Sequence, residues 1–257
     1  MELKNYKAYL IDLDGTMYRG AEVIPEAIIF IENLKRAGLP YLFVTNNSTK
    51  TPGQVAEHLT DMGIQAVSDD VFTTSQATVQ FMMEQKREKS VYVIGERGIK
   101  QELTDNGFEI TSSNPAFVVV GLDREVDYEK FSKAALAVRG GAMFISTNGD
   151  AAIPTERGLL PGNGSITSVV SVATETAPIF IGKPESIIME QALAKLGVHK
   201  DEAIMVGDNY ETDIMAGINY GMDTLIVHTG FTSKEALLTK EIQPTYAVTK
   251  LTDWEFN

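Results

Sequence analysis

Strand-length apolar runs alternate with helix-length amphipathic runs along almost the whole chain. The apolar runs are Tyr6–Ile11, Tyr41–Val44, Val71–Thr73, Val91–Ile94, Phe117–Val120, Ala142–Ile145, Pro178–Ile181, Ala203–Val206 and Thr224–Val227. Between them, helices are predicted over Pro25–Ala37, from Thr51 toward Met62, and over Ser75–Gln85, Ile99–Asn106, Tyr128–Val138, Ser165–Glu175 and Ser186–Leu196. Pro25 suits a first helical turn, and Gly38, Gly63 and Gly197 act as stops. Alternation of this kind buries strands on both faces and implies an α/β fold of parallel sheets wrapped by helices. The strand ladders restart near Ser75–Gln80 and Glu175–Pro178. The expected organisation is therefore one domain built from residues 1–78 and 178–257, with residues 79–177 inserted as a second.

A chain of 257 residues with 44% hydrophobic content can bury one large or two modest cores. Its apolar runs fall far short of the roughly 20 residues that span a bilayer. Met1–Asn5 shows no basic-then-apolar signal pattern. There is no cysteine, which excludes disulfides, thiolate nucleophiles and thiolate metal sites. The expected compartment is the cytoplasm. The formal net charge of -13 disfavours nucleic acid and anionic lipid as partners. It also repels phosphorylated substrates, so phosphate chemistry here needs a local positive site.

Four polar stretches each follow a strand. They are Asp12-Leu13-Asp14-Gly15-Thr16, Thr45-Asn46-Asn47-Ser48, Gly182-Lys183-Pro184, and Gly207-Asp208-Asn209 with Asp213 beyond it. Alternate strand residues share a face, so Asp12 and Asp14 are expected to project together while Leu13 enters the core. Two such charges repel by about 4 kcal/mol at an effective dielectric near 20, and a divalent cation is the simplest offset. Strand carboxyl ends of an open parallel sheet share one edge, where ligands bind. Asp12 and Asp208 suit a hard cation such as Mg²⁺. Thr45 and Asn46 offer a hydroxyl and an amide to phosphate oxygens, Lys183 offers a positive charge, and Asp213 can orient its neighbours. Taken singly, each stretch reads as an ordinary turn. Four complementary types at four strand ends make that reading improbable for the set.

In this order the four stretches resemble the signature motifs of the haloacid dehalogenase (HAD) superfamily, and specifically its NagD-type, 4-nitrophenylphosphatase-like branch. The resemblance covers essentially the whole chain. It implies a Rossmann-like parallel-sheet core with an inserted α/β cap domain, and a Mg²⁺-dependent phosphatase acting on small phosphate monoesters. Asp12 would be the nucleophile that forms an aspartyl-phosphate. Asp14 would be the general acid and base, its backbone carbonyl also binding Mg²⁺. Thr45, Asn46 and Lys183 would hold the phosphoryl group. Asp208 would complete the metal site, supported by Asp213. In the cap, Ser146–Asp150 resembles the substrate-facing segment, with Asn148 and Asp150 expected to contact the leaving group. Gly158, Gly162 and Gly164 read as a loop leading into the next helix. The partner implied is a small phosphorylated metabolite, with no nucleic acid and no membrane; a homo-oligomer stays open. The same residues also serve a phosphotransferase, or a binding module regulated by phosphorylation of Asp12.

Overall fold

The computed structural model describes residues 5–155 and 157–256. Tertiary contacts divide the chain into two compact units. The first holds the chain up to Thr45, then Gly53–Phe72, then Lys183 onward; the second holds Asn46–Pro52 and Thr73–Gly182. The sequence reading set the changeovers at 78/79 and 177/178. The contact units change at 72/73 and 182/183, and the short loop 46–52 goes with the inserted unit. No helix among the described residues is long and apolar enough to cross a membrane.

The first unit begins with β1 (Ala8–Ile11), a small hairpin of β2 (Tyr18–Arg19) and β3 (Glu22–Val23), α1 (Pro25–Ala37), β4 (Tyr41–Thr45), α2 (Pro52–Asp61) and β5 (Val71–Thr73). Helix α1 matches its predicted span. Pro25 opens it, and Gly38 closes it in a left-handed cap that donates to the Leu34 and Lys35 carbonyls. Its buried residues Ala27, Phe30, Ile31 and Leu34 fall at helical spacing and form its core-facing stripe.

The inserted unit runs through α3 (Thr74–Glu84), β6 (Ser90–Ile94), α4 (Arg97–Asp105), β7 (Glu109–Ile110), β8 (Phe117–Val120), α5 (Tyr128–Arg139) and β9 (Met143–Ser146). It continues through β10 (Ala152–Thr155), β11 (Gly158–Pro161), α6 (Asn163–Thr174) and β12 (Ile179–Phe180). The chain then returns to the first unit with α7 (Ser186–Leu196), β13 (Ala203–Gly207), α8 (Met215–Tyr220), β14 (Asp223–Val227), α9 (Lys234–Leu238) and β15 (Tyr246–Val248).

The first unit is built on a six-stranded sheet in the order β15-β14-β13-β1-β4-β5. Strand β1 pairs in parallel with both β13 and β4, β13 with β14, and β14 with β15. The chain leaves β1 toward β4 on one side and fills the other side later with β13. The switch in direction therefore lies between β1 and β13, where an open α/β sheet forms its ligand crevice. The inserted unit has its own parallel sheet, ordered β12-β9-β8-β6-β7, and a separate antiparallel hairpin of β10 and β11. Its switch point lies between β6 and β8.

Two sequence expectations change. The run Pro178–Ile181 was expected to be a strand of the main sheet. Only Ile179–Phe180 is extended, and it pairs with Ile145–Ser146 at the edge of the inserted sheet. A half-buried apolar pair carries no information about which of two sheets it will join. The glycine-rich stretch after Asp150 was expected to be a loop, yet Gly158–Pro161 is a strand of the hairpin. Both of its strands are largely solvent-exposed, so the alternation that marks a strand is missing from their sequence. The short β15 and α9 escaped notice for the same lack of pattern.

The core of the first unit is aromatic at one end. Trp254 is buried, packs against Tyr6 and Tyr246, and donates its indole N–H to the Tyr9 hydroxyl at 3.3 Å. It thereby pins the end of the chain to β1. Trp254→Ala should cost about 3–5 kcal/mol, the range for deleting a large buried aromatic, with no change in urea m-value. A loss below about 1 kcal/mol would show that this segment only lies on the surface.

Candidate active site

Strand β1 stops at Ile11, and Asp12 is the first residue beyond it. Its N–H still bonds the Val206 carbonyl at 2.9 Å, which holds Asp12 at the switch point beside β13. The chain then turns at once. The N–H groups of Thr16 and Met17 both reach the Leu13 carbonyl, at 3.2 and 2.7 Å, and Gly15 takes a φ of +88°. The strand-based reason for pairing Asp12 with Asp14 therefore falls away. Leu13 is buried as expected, but the alternation that would set both carboxylates on one face ends with the strand. Asp14 lies on the turn and is exposed.

The carboxylates that crowd Asp12 are Asp208 and Asp213. One oxygen of each of the three lies within 4.8 Å of the others. Lys183 sits among them, 2% exposed. Its ammonium donates to Asp12 Oδ1 at 2.5 Å, Asp213 Oδ1 at 2.8 Å and the Val44 carbonyl at 3.0 Å. Three donors meet three acceptors, so its primary contacts are to protein oxygens. Asp213 lies on a π-helical turn, Tyr210–Ile214, capped by Asn209. Its other oxygen accepts the Asn209 N–H at 3.1 Å. Both Asp213 oxygens thus serve the scaffold, while Asp12 Oδ2 carries no hydrogen bond among the described residues.

Asp208 ends up in a notch made by glycines. Its Oδ1 accepts the Thr16 hydroxyl at 3.2 Å and its Oδ2 the Phe231 N–H at 2.6 Å. A Cβ on Gly15 would fall 2.3 Å from Oδ2, and one on Gly230 would fall 2.0 Å from it. No side chain larger than hydrogen fits at either position while Asp208 stays where it is. The Thr229 hydroxyl completes the notch by donating to the Gly15 carbonyl at 2.7 Å. Thr229, Gly230 and Phe231 were missed in the sequence. The signal was present, because His228–Thr232 is a fifth polar, glycine-containing stretch after a strand, β14. Thr45 closes β4 and is buried.

The electrostatics follow from this crowding. Burial is the main force pushing the Asp12 carboxyl well above its usual range; Asp213 and Asp208 add to it and Lys183 opposes it. Asp208 is pushed up to about 6, by burial and then by Asp213, against the Phe231 N–H, the Thr16 hydroxyl and Lys183. Burial alone would push the Lys183 ammonium down, but Asp12 and Asp213 outweigh it and the net shift is up. Asp14 also rises, through partial desolvation, with the Gly20 N–H opposing. Three carboxylates against one ammonium leave negative charge in excess, and every donor is a hard oxygen. That set fits a hard divalent cation, with Asp12 and Asp208 the carboxylates least committed elsewhere.

In the inserted unit, Asn46 heads the loop 46–52. Its carbonyl accepts the Asn148 amide at 2.8 Å and the Thr74 hydroxyl at 3.0 Å, and its own amide donates to both Asp150 oxygens at 3.3 Å. Asn148 is 4% exposed. Its oxygen accepts the Asp150 N–H at 3.1 Å, and its carbonyl accepts the Asn163 amide at 2.7 Å. Asn148 and Asp150, expected to face substrate, are thus brought together with Asn46 and hold it.

Comparison with known proteins adds an independent line. A haloacid dehalogenase-like hydrolase model matches residues 9–109, and a HAD-hydrolase-like model matches residues 180–254. The chain is 60% identical over 252 residues to the 5'-nucleotidase YutF of Bacillus subtilis, covering 98% of each. It is 56% identical over 246 residues to an acid sugar phosphatase of Staphylococcus epidermidis, covering 95% of each. Among solved structures, NagD from E. coli K-12 superimposes with a TM-score of 0.93 at 30% identity, over 99% of this chain and 100% of that one.

Lys183→Met tests the charge balance. It strips the buried Asp213 and the largely buried Asp12 of their counter-charge, which should cost about 3–5 kcal/mol at pH 8. Carboxyl groups whose folded pKa is raised favour the folded state when protonated, so their penalty appears as pH rises through the folded value. The deficit against wild type should therefore shrink as the pH falls from 8 to 5, read by chemical denaturation in chelator. A pH-independent deficit would refute the arrangement.

Proposed function

The chain belongs to the haloacid dehalogenase-like hydrolase family, in its NagD-type branch, as a phosphoric monoester hydrolase, and we propose that it cleaves small phosphate monoesters through a phosphorylated Asp12. Asp12 carries the reading: Oδ1 is pinned by Lys183 while Oδ2 is left open, beside Asp208. A carboxylate held this way is oriented for attack through one oxygen. Asp12 Oδ2 attacks phosphorus, and the bond from phosphorus to the leaving oxygen breaks. Asp14 gives its proton to that oxygen; its upward shift favours the protonated form this needs. Asp14, now ionised, takes a proton from water as the water oxygen attacks the phosphorus. The bond to Asp12 breaks and inorganic phosphate leaves.

Mg²⁺ is the proposed cation, held by Asp12, Asp208 and the Asp14 carbonyl, where it would neutralise charge on the phosphoryl oxygens. Lys183 opposes the upward shift of Asp12, aims its carboxylate, and contributes positive charge toward the phosphoryl group. Thr45 and Asn46 are its proposed hydrogen-bond donors, and Asp213 holds Lys183. The inserted unit is proposed to serve as the family's α/β cap domain. The relatives' names supply two substrate classes, 5'-nucleotides and sugar phosphates, and both are proposed here. Asn148 and Asp150 support the reaction by fixing Asn46.

Two experiments test this reading. Hydrolysis of both substrate classes should vanish in chelator and return with Mg²⁺. Asp12→Asn should lower kcat by at least about a thousandfold while raising thermal stability, because one of the crowded charges is gone. Near wild-type turnover in that variant would refute the covalent route. Asn148→Ala and Asp150→Ala should each cost about ten- to a hundredfold in kcat/KM, by similar factors on a nucleotide and on an aryl phosphate. A loss confined to one substrate would show instead that these residues read the leaving group.

A further inference from the structure

The inserted unit repeats the topological arrangement that places Asp12 and Asp208 in the first. Its sheet order, β12-β9-β8-β6-β7, sends the chain from β6 to one side and brings it back on the other at β8. Ligand crevices form outside the carboxyl ends of such a strand pair. A cavity of about 450 Å³ lies at those ends, within the size range of small-molecule sites. Its walls are Gly95, Glu96, Arg97 and Lys100 from the β6–α4 side, and Asp123, Arg124, Glu125 and Lys130 from the β8–α5 side.

The walls are pre-set by two ion pairs. One Arg124 guanidinium nitrogen reaches both Glu96 oxygens, at 2.9 and 2.8 Å, and the Arg124 N–H bonds Glu96 at 3.1 Å. Lys130 bonds Asp123 at 2.9 Å and the Glu125 carbonyl at 2.9 Å, while Asp123, 4% exposed, also accepts the Glu125 N–H at 2.9 Å. These contacts use up Glu96 and Asp123. Arg97 and Lys100 enter no ion pair among the described residues, and Glu125 is the one lining carboxylate outside an ion pair. The cavity thus gathers four of the chain's 22 basic residues against three carboxylates, in a protein of net charge -13. No aromatic ring lines it, which removes base stacking as a mode of recognition and leaves charge.

We propose that this switch point is a second anion site, taking a small phosphate-bearing dianion on Arg97 and Lys100 with Arg124 at its edge. A guanidinium and an ammonium three residues apart on α4, lining one cavity, suit a tetrahedral dianion, one by its planar fork and the other as a point charge. Glu125 opposes the ligand and limits its affinity.

The probe is inorganic phosphate, titrated into the full-length, isotope-labelled protein in chelator, with sodium chloride of equal ionic strength as reference. Amide signals of 95–100 and 123–125 should shift saturably with phosphate. Arg97→Gln combined with Lys100→Gln should weaken that response at least tenfold, and Glu125→Gln should strengthen it. All three side chains are exposed, so the variants should fold. Shifts no larger than those caused by chloride, or an unchanged affinity in the double variant, would overturn the proposal. Binding near Asp12 is read from separate signals, those of 12–16 and 207–209, so failure of the proposed hydrolytic site and failure of this one are told apart.

Discussion

The ammonium of Lys183 is the contact on which the site depends. It lies 171 residues from Asp12 and 30 from Asp213 along the chain, yet bonds both, together with the Val44 carbonyl at the end of β4. Without it, three crowded carboxylates would face one another with no protein counter-charge. An ion cluster of this sort is expensive to bury and far more expensive to break. It also fixes geometry. One oxygen of Asp12 is tied down, so the direction of the other follows.

Close backbone approach is the second constraint. Asp208 is buried against Gly15 and Gly230, and a Cβ on Gly207 would fall 2.3 Å from that of Asp213. Residues from the ends of β1, β13 and β14 therefore share one small volume only because glycine lets the main chain come near. The parallel sheet brings these strand ends to one edge. The glycines and the Thr16, Thr229 and Phe231 contacts turn that common edge into a fitted carboxylate site.

The inserted unit supplies more than bulk. The division between the two contact units falls within the second motif, leaving Thr45 on one side and Asn46 on the other. Asn46 is then gripped by Thr74, Asn148 and Asp150, all of the inserted unit. Further along the loop, the Ser48 and Thr49 carbonyls accept the first free N–H groups of α4, from Ile99 and Gly98. Residues separated by a hundred positions are joined into one polar cluster by these hydrogen bonds. Such a cluster holds a side chain in one place more firmly than a surface loop does.

Much of this was legible in the amino-acid order. Apolar periodicity and glycine stops located α1 and α7 to the residue, because local propensity, capping and burial agree there. The same periodicity, with polar groups at strand ends, singled out Asp12, Lys183, Asp208 and Asp213. These are signals carried within a few residues of chain. What needed the tertiary structure was every question of partnership. No local pattern says that Asp12 is crowded by Asp208 and Asp213 instead of Asp14, because that depends on a strand ending one residue before it. None says that Ile179–Phe180 joins the inserted sheet, that Asn148 spends its amide on Asn46, or that His228–Thr232 closes the notch around Asp208. Strand register, sheet membership and the approach of two backbones are settled by contacts between distant segments, and a sequence read along its length does not contain them one by one.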